Sequence, residues 1–481
     1  MTGLQQFAVV LVNAILLQDG TTLAALLSLD SAVTSRAAAD YLARGGPSVH
    51  SLASNLNTAK ASGGFGGGSA FGRLPPPWQS GLSVLLEHRL LASAALGGRS
   101  WQDAFAHLAE ALGAFHGAIR TEGRWVVAAL LRLSTDVRVL AKQADVAAAA
   151  AERAAAAAVA ARSAGGGAAD APPAGDGGAF APPPLPPRAL EAAERTIKKG
   201  FTLAISDRGD AGATKKWAAL GLVNQLFRCY FSLNQLRLCR NLIRAVEAAS
   251  FLPFDGFPAP HRVTYKYFTG RLSLYEEHYG DAVASLSYAL TRLPAEPPAG
   301  AAAAAPGADR YAGHRRAILL YLVPARLLLG VAPSPSLLRR HGLADTYGGI
   351  VRGVTVGDYG AYGAALARHE PLFMRRALYL VLDKLRTLVH RSLLRAVQRA
   401  LDGKTRLRVA WWAAAMAVGA GGEEVDAVEA ECVAANLISL GLVKGYIAHR
   451  AGFIVLANTT AFPPVAGVMR QRRGGDGHAA P

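Results

Sequence analysis

Apolar residues spaced three and four apart recur from Leu4 to Ala400, in segments such as QFAVVLVNAILLQ, LSVLLEHRLLASAAL and ALYLVLDKLRTLVHRSLLRAVQRAL. That period lines one face of an α-helix, whereas a strand would alternate. A helix with a single apolar stripe cannot bury it alone, so the chain must stack helix upon helix. Within HRVTYKYFTGRLSLYEEHYGDAVASLSYALTRLP, the residues Gly270, Ala282, Ala289 and Pro294 fall at the spacing of a tetratricopeptide (TPR) repeat, in part. Small residues there let two helices approach, and proline ends the unit.

The texture changes after Ala400. LRVAWWAAAMA and EEVDAVEAECVAANLISLG read as two helices, the second with Glu423, Glu424 and Asp426 at its positive N-terminal end and Gly441 at its C-terminal cap. Next, LVKGYIAHRAGFIVLA alternates like two short strands, 443–449 and 453–456, joined by a tight Arg-Ala-Gly turn. Helices followed by a small hairpin describe a winged helix. The expected fold class is all-α: an α-solenoid of TPR-like helix pairs ending in a C-terminal winged-helix subdomain with a small β-hairpin.

Two stretches break the pattern. Residues 146–188 are an Ala-rich run followed by a Pro/Gly-rich one, and 294–310 is similar but shorter. The Ala-rich part has the propensity for helix, but neither stretch has an apolar stripe to dock. The expected organisation is therefore an N-terminal helical solenoid over 1–145, a disordered linker over 146–188, helical repeats over 189–400 with an inserted loop at 294–310, a winged helix over 401–460 and a tail over 461–481.

Composition narrows function. Lys and Arg number 51 against 34 Asp and Glu, a net charge of +17 that favours polyanions such as nucleic acid, acidic proteins or anionic lipid. Cys229, Cys239 and Cys432 are too scattered for a disulfide framework or a zinc site, which points to a reducing, intracellular compartment. The mean hydropathy of +0.21 comes from alanine and glycine. No apolar run is long enough to span a membrane, and FAVVLVNAILL lacks the basic lead of a signal peptide.

The string AECVAANLISLGLVKGYIAHRAGFIVLA, standing after stacked helices, resembles the signature of the PCI domain, shared by subunits of the proteasome lid, the COP9 signalosome and an initiation factor. Further upstream, KKWAALGLVNQLFRCYFSLNQLRLCRNLIRA, HRVTYKYFTGRL, HRRAILLYLVPARLLLG, the trailing AFPPV and GRWVVAALLRLSTDVRVLAKQAD resemble the PCI domain-containing protein 2 family. The likeness covers most of the chain and departs from it at 146–188, 294–310 and the basic tail RQRRGGDGHAAP.

That resemblance implies a non-catalytic subunit of the transcription-and-mRNA-export complex TREX-2, in the nucleus at the nuclear pore. It implies a GANP-type mRNA-export scaffold beside the winged helix, a small acidic subunit shared with the proteasome lid, and RNA, with DNA as a further ligand. It implies no cofactor and no membrane insertion. The competing expectation is a purely structural subunit of a lid-like or signalosome-like assembly.

From Arg368 to Arg408 the residues themselves supply eleven Lys and Arg against Glu370, Asp383 and Asp402, net +8. If 384–399 is one helix, Lys384, Arg391, Arg395 and Arg399 fall within a sector of about 80 degrees, with Leu378, Leu382, Leu385, Val389 and Val397 opposite. Lys404, Arg406 and Arg408 follow, and the wing adds Lys444, His449 and Arg450. These ten are the candidate nucleic-acid contacts, with an acidic protein or plain solvent as the alternatives. Trp411 and Trp412 are adjacent on a helix, so one should be core and the other free for a partner; together with Tyr446 they are the candidate protein interface. Gly445 is expected to let the wing turn close to the helix.

Enzyme motifs are missing. DGKT at 402–405 ends like a phosphate-binding loop, but Gln398 stands where the first glycine is required, and the glycines of 63–78 follow no strand. The twelve histidines form no HExxH and there is no nucleophile elbow.

Overall fold

A computed structural model describes residues 3–43, 74–165, 188–248, 252–295, 310–419 and 421–469. The chain forms two compact units, which meet in sequence between Arg262 and Val263. The division therefore falls well beyond the Ala/Gly/Pro stretch expected to act as a linker.

The first unit is helical throughout its described residues: α1 (Gly3–Leu16), α2 (Gly20–Leu27), α3 (Ala32–Ala43), α4 (Pro76–Gly97), α5 (Trp101–Ala118), α6 (Val127–Gly165), α7 (Arg188–Ile205), α8 (Ala219–Ser232) and α9 (Arg237–Glu247). From α4 to α8 each helix packs on the next. The apolar spacing explains this directly: Leu82, Leu86 and Leu90 on α4 and Leu108 and Leu112 on α5 are fully buried.

Buried donors in this unit answer carbonyls left over at helix ends. The Arg89 guanidinium donates from Nε to the Leu27 carbonyl at 2.9 Å and from Nη2 to the Ser28 carbonyl at 2.5 Å, closing the C-terminus of α2. Burial pulls its pKa down to about 10.

The low-complexity stretch is ordered at its start, where alanine propensity allowed helix against the disorder expected of the whole stretch. Its first part, 146–165, continues α6 as helix, because alanine has the highest helix propensity and needs no docked face; residues 149–161 are all exposed. Its ends are also tied together, since the Asp145 carboxylate accepts from the backbone N–H groups of Ala189 and Leu190 at 3.0 Å each and so caps the start of α7. The stretch is an insertion between packed neighbours. Residues 166–187 and 296–309, and the tail from 470, lie outside the described residues.

The second unit contains α10 (Ala259–Tyr275, its first turn before the boundary), α11 (Tyr279–Thr291), α12 (Ala312–Leu328), α13 (Pro335–Arg340), α14 (Ala344–Val356), α15 (Tyr359–Arg368), α16 (Glu370–Arg375), α17 (Tyr379–Asp383) and α18 (Arg386–Ala400). The winged helix follows as β1 (Arg406–Arg408), α19 (Val409–Gly419), α20 (Ala427–Ser439), β2 (Gly445–Ala448) and β3 (Phe453–Leu456). The TPR-like spacing has its expected basis: a Cβ at Gly270 would stand 2.7 Å from Leu286, and Ala282 and Ala289 are fully buried.

The three strands form one antiparallel sheet in the order β1-β3-β2. β1 is a strand where the sequence pattern reads as helix, because three residues reading RLR are too short to show alternation. One apolar core runs from Leu274 to Val468, so the helices and the winged helix are a single packed body. Val465 and Val468 belong to it, and the segment expected as tail from 461 is folded through Met469.

Pro324 sits inside α12 and has no N–H for the carbonyl four residues back, that of Leu320. The Tyr347 hydroxyl donates to that carbonyl at 2.5 Å, wholly buried. Replacing Tyr347 by Phe strands the carbonyl, and should lower the urea-unfolding stability of this unit by about 1–3 kcal/mol.

His390 is held between the Tyr359 ring, stacked at 5.2 Å, and the edge of Trp412 at 6.4 Å. Burial, reinforced by Arg386, lowers its pKa from 6.5 to about 4. The unfolded chain therefore takes up a proton near pH 6.5 that the folded one refuses until about pH 4, and the stability held above 6.5 is lost as the pH falls between them. At pH 5 the loss should be about 2 kcal/mol, and urea titrations of His390→Phe should show a decline smaller by that amount.

Candidate nucleic-acid interface

The cations of helix α18 and the winged helix divide into three groups. Lys384 is exposed but lies in the turn between α17 and α18, and its ammonium pairs with Glu277. The stretch 384–399 is therefore not one helix, and the first member of the expected stripe is neutralised.

Arg391 is a correction. It is only 8% exposed, with Nε donating to the Leu442 carbonyl at 3.2 Å, Nη2 to the Pro463 carbonyl at 2.9 Å and its guanidinium 5.7 Å from the Phe462 ring. Burial, with Arg395 adding repulsion, lowers its pKa below the ordinary arginine value. Arg391 ties α18 to the turn before β2 and to the segment after β3, and cannot reach a ligand. Helical geometry places it in the same sector as Arg395 and Arg399, but the winged helix covers that sector at its level.

The third group remains free. Arg395, Arg399, Lys404, Arg406, Arg408, Lys444 and Arg450 are all exposed, and among the described residues none forms an ion pair. The two Arg of β1 point outward on either side of fully buried Leu407. Their guanidiniums rest on rings: Arg406 lies 4.9 Å from the centroid of Phe453, and Arg408 lies 5.7 Å from Trp411. His449, the remaining predicted contact, is exposed, but its Nδ1 lies 2.6 Å from the Glu431 carboxylate.

The tryptophans separate. Trp412 is fully buried and donates from Nε1 to the Ala430 carbonyl at 3.0 Å, so it joins α19 to α20 and is no interface residue. Trp411 is 40% exposed and Tyr446 63% exposed, both available at the surface. Phe453, unnoticed in the sequence, is the shelf beneath the β1 arginines; the only hint was its place in the alternation of FIVL. Gly441 takes the left-handed cap conformation at φ 70°. Gly445 serves strand pairing rather than the helix, since a Cβ there would meet the Val455 carbonyl oxygen at 2.3 Å.

Among the described residues no group of three His, Cys, Asp or Glu side chains is arranged to hold a metal, and no helix is long and apolar enough to cross a membrane.

Known proteins resemble this chain over much of its length. No family model matches it. It is 35% identical over 282 residues to PCI domain-containing protein 2 homolog of Drosophila melanogaster, covering 58% of this chain and 67% of that one. It is 30% identical over 386 residues to the Dictyostelium discoideum protein of the same name, covering 80% and 79%. It is 33% identical over 292 residues to Protein CSN12 homolog of Gibberella zeae, covering 57% and 61%. Against most such relatives the chain spans a little under two thirds of their length.

The burial of Arg391 sets it apart from its neighbour Arg395. Arg391→Ala leaves two buried carbonyls unpaired and opens a gap under Phe462, and should cost about 2–4 kcal/mol in chemical denaturation. Arg395→Ala should stay within about 0.5 kcal/mol of the parent.

Proposed function

Because the chain belongs to the PCI domain-containing protein 2 family and folds as stacked helices with a terminal winged helix, we propose that it is a non-catalytic subunit of a TREX-2-like mRNA-export complex and captures RNA on its winged-helix surface. The observation that carries this reading is the set of seven exposed Lys and Arg on α18 and the winged helix that no carboxylate answers among the described residues. An unanswered cation that pairs with a backbone phosphate releases counterions condensed along the strand, and their entropy of release favours binding. Contacts of this kind hold a strand without reading its bases, which suits transcripts of any sequence.

In this reading a GANP-type scaffold docks beside the winged helix, a small acidic subunit lies along the helices, and the assembly works in the nucleus at the nucleoplasmic side of the pore. DNA is a secondary ligand of the same surface. The relative named Protein CSN12 homolog favours a second reading, a purely structural subunit of a signalosome-like or lid-like assembly, in which the cations face solvent.

The triple variant Arg395→Glu, Arg399→Glu, Lys404→Glu separates the two. Fluorescence anisotropy with labelled RNA, on the purified chain and on the chain with its scaffold, should show affinity reduced by roughly a hundredfold or more, while the unfolding midpoint moves little. Unchanged RNA affinity, or no binding by the parent protein with the scaffold present, would leave the structural reading standing.

A further inference from the structure

We propose that the outward face of the three-stranded sheet, extended by Trp411, is a stacking platform for single-stranded nucleic acid. The inference rests on the RNA-binding reading above and deepens it by naming the strand form that the surface takes.

The strand register defines the face. Arg406, Val455 and Tyr446 stand side by side in one row across β1, β3 and β2, and Arg408, Phe453 and Ala448 form the next. Residues between them point the other way, with Leu407 and Ile454 fully buried in the core. The outward face therefore carries two guanidiniums and two aromatic rings and no carboxylate, with Trp411 adjoining from the first turn of α19. Strands lie about 4.8 Å apart and successive outward residues about 6.8 Å apart, so the platform has room for two or three bases laid flat.

The guanidiniums are arranged for this use. Arg406 and Arg408 lie 4.9 and 6.0 Å from the Phe453 centroid, and Arg408 also lies 5.7 Å from Trp411. Attraction between the cations and the ring faces holds them against the sheet without neutralising them. They can then present a charge to phosphate and a flat surface to a base together. Trp411 and Tyr446 supply the uncovered ring surface. A base can reach such a surface only when it is free of its neighbours and its complement, which a single strand provides and a duplex does not.

The helix in the groove-reading position argues the same way. In helix-turn-helix proteins the second helix enters the major groove. Here that helix is α20, AVEAECVAANLIS, which has no Lys or Arg and carries Glu429 and Glu431 behind Glu423, Glu424 and Asp426. Insertion into a groove would press the exposed Glu423, Glu424, Asp426 and Glu429 towards phosphates. Repulsion at α20 and attraction at the sheet select an open strand on the sheet.

The test compares a labelled 12-nucleotide oligouridine with a 12-base-pair RNA duplex, using the full chain. The double variant Trp411→Ala, Tyr446→Ala should lose roughly ten- to hundredfold in affinity for the single strand and little for the duplex, with its salt dependence unchanged. Trp411→Phe with Tyr446→Phe should restore most of the loss, which a role in folding or charge alone would not require. Unaltered single-strand affinity in the alanine variant, while Arg395→Glu, Arg399→Glu, Lys404→Glu still abolishes binding, would overturn the platform and leave RNA capture intact. So would loss of a protein partner with RNA binding retained, which would make the face a protein interface. A parent chain that binds neither probe, with or without its scaffold, would overturn both readings.

Discussion

A guanidinium buried without a carboxylate is the joint on which the C-terminal part of this fold turns. Removing a charge from water costs several kcal/mol unless hydrogen bonds replace the lost solvent. Arg391 finds those bonds at the Leu442 and Pro463 carbonyls and rests on Phe462. Any shift of α18 against the winged helix would break them and leave the charge stranded. The geometry between Arg395 and Arg399 on one side and the sheet on the other is thereby fixed, and a fixed spacing of cations lets a charged strand be met at several points together.

The same economy recurs inside the second unit. Tyr347 answers Leu320, Tyr362 answers Leu382, Ser392 answers Val354 and Trp412 answers Ala430, each a side-chain donor on a backbone carbonyl. Carbonyls at helix ends and beside prolines must find donors when buried. Because these bonds use neutral acceptors, the core and the winged helix need few carboxylates of their own. The acids present are placed elsewhere: Glu277 neutralises Lys384 and Glu431 faces His449. Among the described residues, what stays unanswered is the set Arg395, Arg399, Lys404, Arg406, Arg408, Lys444 and Arg450.

Much of this was legible in the sequence, for identifiable reasons. The buried faces of α17 and α18 follow from period alone: Leu378, Leu382, Leu385 and Val389 are all buried. Gly270, Ala282 and Ala289 announce a close helix pair because small size is a property of the residue itself. Arg391 was not legible, since helix geometry says which residues share a sector but not which part of it another element will cover. The Trp411 and Trp412 pair shows the same limit: adjacency shows that they point apart, and only the packing of α20 decides that Trp412 is the buried one. β1 was hidden because its strand character comes from pairing with β3 rather than from its own three residues. The Ala-rich run has no docking face, yet the helix propensity legible in its alanines carries α6 through it.

Free cations that replace the counterions condensed on an RNA strand would bind it through its phosphates, and salt reports on that exchange most directly. For the parent chain, bound with its scaffold to single-stranded RNA, the logarithm of the affinity should fall linearly with the logarithm of the salt concentration. With about five phosphates neutralised the slope should be about −3.5. An affinity that stays level as the salt is raised would show that these side chains meet no phosphate, and would contradict the account.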